Sequence, residues 1–83
     1  MTYNEPIARA LIGTSEAIEA EFSAVTFDNA PFVFAEMVDD EVIAVSGYQT
    51  LEDAARSAIN YGFELKQLEI YGMRPGFKLH MKG

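Results

Sequence analysis

Residues 32–48, FVFAEMVDDEVIAVSGY, constrain the fold more than any other stretch of this chain. Two runs rich in Phe, Val and Ile flank a pair of aspartates. Aromatic and β-branched side chains suit a pleated, half-buried surface, and Asp-Asp between such runs is a turn signal. The segment therefore reads as a β-hairpin. With Asp39-Asp40 as a two-residue loop, Val38 lies opposite Glu41. That register pairs Phe34 with Val45 and Glu36 with Ile43 on one face. It pairs Met37 with Val42, Ala35 with Ala44 and Val33 with Ser46 on the other. The second face is apolar but built from small side chains, where a solvated face would be polar. Something is expected to cover it: the chain's own helices, a second copy, or a partner.

Upstream, NEPIARAL opens like a helix, with Asn4 able to cap and Pro6 in the first turn. Ile7, Ala10, Leu11, Thr14 and Ile18 fall on one stripe, so a helix is expected to about residue 20. Gly13-Thr14-Ser15 is the place where it can break in two. FSAVTF, residues 22–27, reads as a strand and DNAP as a turn. Thr50 begins the clearest helix, because TLED resembles a capping box with Asp53 in place of the usual Glu. Leu51, Ala54, Ala55, Ala58 and Ile59 form its apolar stripe, and Gly62 stops it. ELKQLEIYGM leads into another strand, with Leu68 and Ile70 facing inward. Pro75-Gly76 suits the centre of a type II turn, so strands 67–73 and 77–82 are expected to pair. Their inner face sets Ile70 by Met81 and Gly72 by Leu79; their outer face sets Glu69 by Lys82 and Tyr71 by His80. The lysines of the last strand discourage edge-to-edge association.

The predicted order is α-β-β-β-α-β-β. It describes an α+β fold of two layers, a mostly antiparallel sheet of four to five strands with two helices. Eighty-three residues make a single compact α+β domain, residues 1–83, with no room for a second core. There is no cysteine, so neither a disulfide nor a thiolate metal site is available. No apolar run approaches the roughly 18 residues that span a bilayer, and residues 1–13 lack the pattern of a signal peptide. A soluble, cytoplasmic protein without membrane contact is the expectation.

The net charge of −7 is uneven. Residues 1–53 hold eleven acids against Arg9 alone, whereas residues 54–83 hold Glu64 and Glu69 against five basic residues. The field of the whole molecule repels phosphate and argues against direct nucleic-acid binding. The basic ending is accounted for by the last strand's design.

The residues offer little chemistry. His80 is the only histidine and lacks an orienting carboxylate in the pattern. Ser46 and Ser57 have no activating base nearby. Asp39, Asp40 and Glu41 lack the spacing of a calcium loop, and the glycines form no phosphate loop. No catalytic residue, metal or cofactor is expected. Glu36 is the acid to watch, because its face otherwise carries Phe34, Ile43 and Val45. A buried Glu36 with a raised pKa would revive an enzyme reading; a place near the sheet edge or a pairing with Arg56 would not.

Gly47-Tyr48-Gln49-Thr50-Leu51-Glu52-Asp53-Ala54-Ala55 resembles the strand–Gly–x–x–Thr–helix passage of HicB-type antitoxins. The resemblance spans about a dozen residues of a strand-to-helix junction and implies that local geometry, not the family's activity.

Two function classes follow. The first is a small, acidic, non-enzymatic inhibitor of another protein, of the anti-CRISPR or anti-restriction type encoded by phages, whose acids occupy a basic nucleic-acid groove. Its contact residues would be Glu16, Glu19 and Glu21 on the first helix, Asp39, Asp40 and Glu41 at the hairpin tip, and Glu52 and Asp53 at the second helix start. Tyr48 and Tyr71 are the candidate surface aromatics. The second is a self-associating module, a homodimer through Val33, Ala35, Met37, Val42 and Ala44.

Overall fold

In a computed structural model, which describes residues 8–22, 29–73 and 79, the expected hairpin is present as β2 (Phe32–Val38) and β3 (Glu41–Tyr48). Asp39 and Asp40 have φ of 52° and 66°, the paired positive values that let a two-residue turn follow the twist of its strands. Val38 faces Glu41 and Met37 faces Val42, as that turn dictates. One residue on, the ladder slips. Glu36 faces Ala44, so Ile43 is the extra residue of a β-bulge. Phe34 then faces Ser46 rather than Val45, Ala35 faces Val45 rather than Ala44, and Val33 faces Gly47 rather than Ser46. Because side chains alternate, the slip moves Val45 to the Ala35 face and Ala44 to the Glu36 face.

The main departure lies upstream. The stripe expected to be helical is the strand β1 (Ala8–Thr14), and helix α1 (Ser15–Phe22) starts at the Gly13-Thr14-Ser15 break. β1 runs antiparallel to β2 and parallel to β4 (Leu68–Tyr71), in a sheet ordered β3-β2-β1-β4. It is thus an interior strand, and Ala10, Leu11 and Ile12 are fully buried. A strand covered on both faces is a continuous apolar run, which periodicity cannot tell from a helix. Pairing along both edges outweighs the helix propensity of Ala, Arg and Leu. Gly13 belongs to this crowding, since a Cβ there would lie 2.1 Å from the Tyr71 carbonyl oxygen.

Each helix is fixed at its start by a threonine. Thr14 Oγ1 accepts from the Ala17 N–H at 3.2 Å, and Thr50 Oγ1 accepts from the Asp53 N–H at 3.0 Å. The second cap begins α2 (Leu51–Asn60), which ends ahead of Gly62, at φ 119°. Leu51, Ala54, Ala55 and Ala58 bury one side of α2 against Ala10, Ile12 and Phe34. On the other face of the sheet, Ile18 of α1 packs with Leu11, Val33, Ala35 and Met37. The helices therefore divide between the two faces of the sheet, which makes three layers where two were expected.

The fold is α+β, a four-stranded, mostly antiparallel sheet with two helices, joined in the described residues as β-α-β-β-α-β. The strand expected at 22–27 lies outside the described residues except for Phe22, which ends α1. Of the expected hairpin across Pro75-Gly76, the first strand is β4, paired with β1, while the turn and the second strand lie outside the described residues apart from Leu79, which packs against the α2 cluster.

Candidate functional site

The acids singled out from the sequence are exposed, but the fold spreads them out. Glu16, Glu19 and Glu21 lie on α1, over one face of the sheet. Glu52 and Asp53 open α2, over the other. Asp39, Asp40 and Glu41 form the hairpin tip, a strand's length away from the start of α2, roughly 20 Å at 3.3 Å per residue. No single acidic face gathers all eight.

The cations explain the surplus. Arg9 donates two hydrogen bonds of 2.6 Å to Glu69, from Nε to Oε2 and from Nη2 to Oε1, and its Nη1 lies 3.5 Å from Asp40 Oδ1. Arg56 pairs with Asp53 at 3.5 Å, and Lys66 with Glu64 at 3.2 Å. Among the described residues there are eleven acids and three bases, and each base is tied to a carboxylate of its own chain. The Arg9 pair also shapes its neighbours. Its hydrogen bonds, aided by its charge, hold the Glu69 carboxyl below the usual carboxylate range, with partial burial working against them. Burial pushes the Tyr71 phenol up, and the charge of Glu69 adds to that. The Tyr71 hydroxyl donates to Glu69 Oε1 at 3.3 Å. This group clamps β4 and the hairpin tip to β1, and it leaves Glu69 unsuited to act as a base.

The two candidate surface aromatics are both occupied. The Tyr48 hydroxyl donates to Ser57 Oγ at 2.5 Å, joining β3 to α2. Tyr71 is half-buried, with its ring edge-on to Phe22 at 5.1 Å. Among the described residues the exposed aromatic is Tyr61, 61% accessible, just past the end of α2.

The proposed self-association face does not exist as a free surface. Val33, Ala35 and Met37 are buried beneath the chain's own α1, with Val42 half-buried beside them. Ala44 is exposed, and the bulge has carried it to the opposite face. Of the coverings the sequence allowed, the chain's own helix is the one present.

A different feature emerges where the end of α2 meets the bulged hairpin. A cleft of about 320 Å³ lies between Phe34, Glu36, Ala44 and Ser46 on the strands and Ser57, Asn60 and Tyr61 at the helix end. Phe34 and Tyr61 meet edge to face at 5.9 Å. Glu36 is half-buried. It is not paired with Arg56, which turns to Asp53. The alternation of β2 placed Glu36 correctly beside Phe34. Nothing in the sequence pointed to Asn60, and the bulge that brings Ala44 and Ser46 to this face leaves no local mark, whereas Tyr61 is, like the other tyrosines, a residue type expected at the surface.

Among the described residues no three His, Cys, Asp or Glu side chains group as a metal site, and no helix is long and apolar enough to cross a membrane. His80 lies outside them. No family model, no curated protein and no solved structure matches the chain.

Proposed function

We propose that this domain acts by binding another protein, and that the partner presents a basic surface of the kind that otherwise holds nucleic acid. The observation that carries this reading is the charge imbalance. Thirteen acids stand against six bases in the chain, for a net charge of −7, and the three bases among the described residues, Arg9, Arg56 and Lys66, are engaged with acids of the same chain. The exposed carboxylates of Glu16, Glu21, Glu41 and Glu52 are solvated and can meet cations from outside at small desolvation cost, steering encounter over a Debye length of about 8–10 Å. Acids on both faces and at the hairpin tip suit a domain lodged inside a groove better than one laid against a flat patch. An inhibitor of the anti-CRISPR or anti-restriction type is the strongest form of this reading.

The test pairs capture with competition. A tagged chain is used to draw proteins from a host lysate at low salt, and whatever elutes at high salt is identified. The captured protein is then assayed for nucleic-acid binding with and without this domain. Release by salt together with loss of nucleic-acid binding supports the proposal. A captured protein that keeps its full nucleic-acid affinity counts against blocking. Reversing Glu16, Glu19 and Glu21 to Lys is expected to weaken capture about tenfold or more, mainly through slower association.

A further inference from the structure

We infer that the cleft between the end of α2 and the bulged hairpin is a seat for an arginine side chain presented by a partner protein. Its volume, about 320 Å³, is at the small end for ligand sites and suits one side chain better than a cofactor. Glu36 stands in its wall, half-buried. No hydrogen bond or ion pair joins Glu36 to any other described residue. A half-buried carboxylate without a partner among the described residues can take up an incoming cation in a charge-assisted hydrogen bond. None of the residues lining the cleft is basic, so nothing there competes for Glu36.

The shape of the site selects guanidinium over ammonium. Phe34 and Tyr61 line it with aromatic rings, on which a planar, weakly hydrated guanidinium stacks. Its fork matches a carboxylate with two parallel hydrogen bonds, the arrangement Arg9 and Glu69 already make within the chain. The Asn60 side-chain carbonyl and the Ser46 hydroxyl can accept the N–H groups that remain. Ser57 is less available, since its oxygen already accepts from Tyr48. β3 is an end strand of the described sheet, so the cleft opens at a border that a partner's loop can reach. The inference deepens the protein-binding reading and takes the source of the arginine from it.

The test uses the full chain labelled with 15N and titrated with four probes: N-acetyl-arginine amide, N-acetyl-lysine amide, the neutral N-acetyl-citrulline amide and free arginine. Saturable amide shifts at Glu36, Ala44, Ser46, Asn60 and Tyr61 are expected with arginine, at a Kd on the order of millimolar for so small a ligand. Lysine should bind several-fold more weakly, and citrulline should leave these signals in place. Glu36→Gln, which keeps shape and loses charge, is expected to weaken arginine binding about tenfold or more. Tyr61→Ala, at an exposed position, should weaken it several-fold and guards against misreading a folding defect at Glu36. Equal shifts with citrulline, indifference to Glu36→Gln, or shifts scattered over Glu16, Asp40 and Glu52 would each overturn the seat. Tighter binding of free arginine than of the amide would assign a free amino acid and overturn the protein source. A partner that is captured through the acids but ignores Glu36→Gln removes this inference alone, so its failure is distinct from failure of the protein-binding reading.

Discussion

Arg9 and Glu69 join the first described strand to the last through two hydrogen bonds that span sixty residues of sequence. The Glu69 pKa is lowered by folding from its ordinary value of 4.5, so its contribution is complete above that pH and is lost as pH falls through the lower, folded value. Thermal unfolding should therefore show a midpoint that drops as pH falls below 4.5, with a shallower drop in Glu69→Gln. Gly13→Ala tests the crowding between β1 and β4. A Cβ placed 2.1 Å from the Tyr71 carbonyl oxygen forces the two strands apart, and a loss of roughly 2 kcal/mol or more in denaturant unfolding is expected. Thr50→Ala removes the oxygen that caps α2 and should cost about 1 kcal/mol in the same measurement. That cap was legible, because TLED before an apolar stripe has a local meaning. The Arg9–Glu69 pair was not, since no local pattern links two residues whose strands meet only in the finished sheet.

Among the elements, the hairpin shows both the reach and the limit of pattern reading. The Asp39-Asp40 turn fixed the first two pairings correctly, and both aspartates accept a left-handed conformation that side chains resist. Replacing Asp40 with Gly relieves that resistance while losing only an exposed 3.5 Å contact to Arg9. A gain of about 0.5–1 kcal/mol in equilibrium unfolding is expected. Beyond Val42 the alternation misleads, because an extra residue at Ile43 inverts every later side chain while looking no different from its neighbours. Ile43 is 55% exposed, as a residue squeezed out of the ladder should be. β1 misled for another reason. Ala10, Leu11 and Ile12 bury on both faces, and three consecutive apolar residues fit a helical stripe as well as a strand. α2 was read correctly because one side of it stays in water.

On the scale of the whole molecule, charge of one sign dominates. With a net charge of −7, self-repulsion opposes the folded state, and salt screens it. The melting midpoint is expected to rise between about 10 mM and 150 mM sodium chloride, and a fall would mean that the internal ion pairs outweigh the repulsion. The spread of acids over both faces and the tip could be anticipated only in part, since the sequence gives exposure more readily than direction. The arginine seat draws on strands β2 and β3 and the end of α2, three segments that only the folded sheet brings side by side. The placement of β1 has a further consequence, for the order of events as the chain is made. β1 is synthesised first among the described strands, yet it lies between β2 and β4. Until residues 68–71 have left the ribosome, one edge of the most deeply buried strand has no partner. Contacts of such long sequence separation form slowly for a chain of this size, so the earliest strand to emerge is the last to be enclosed.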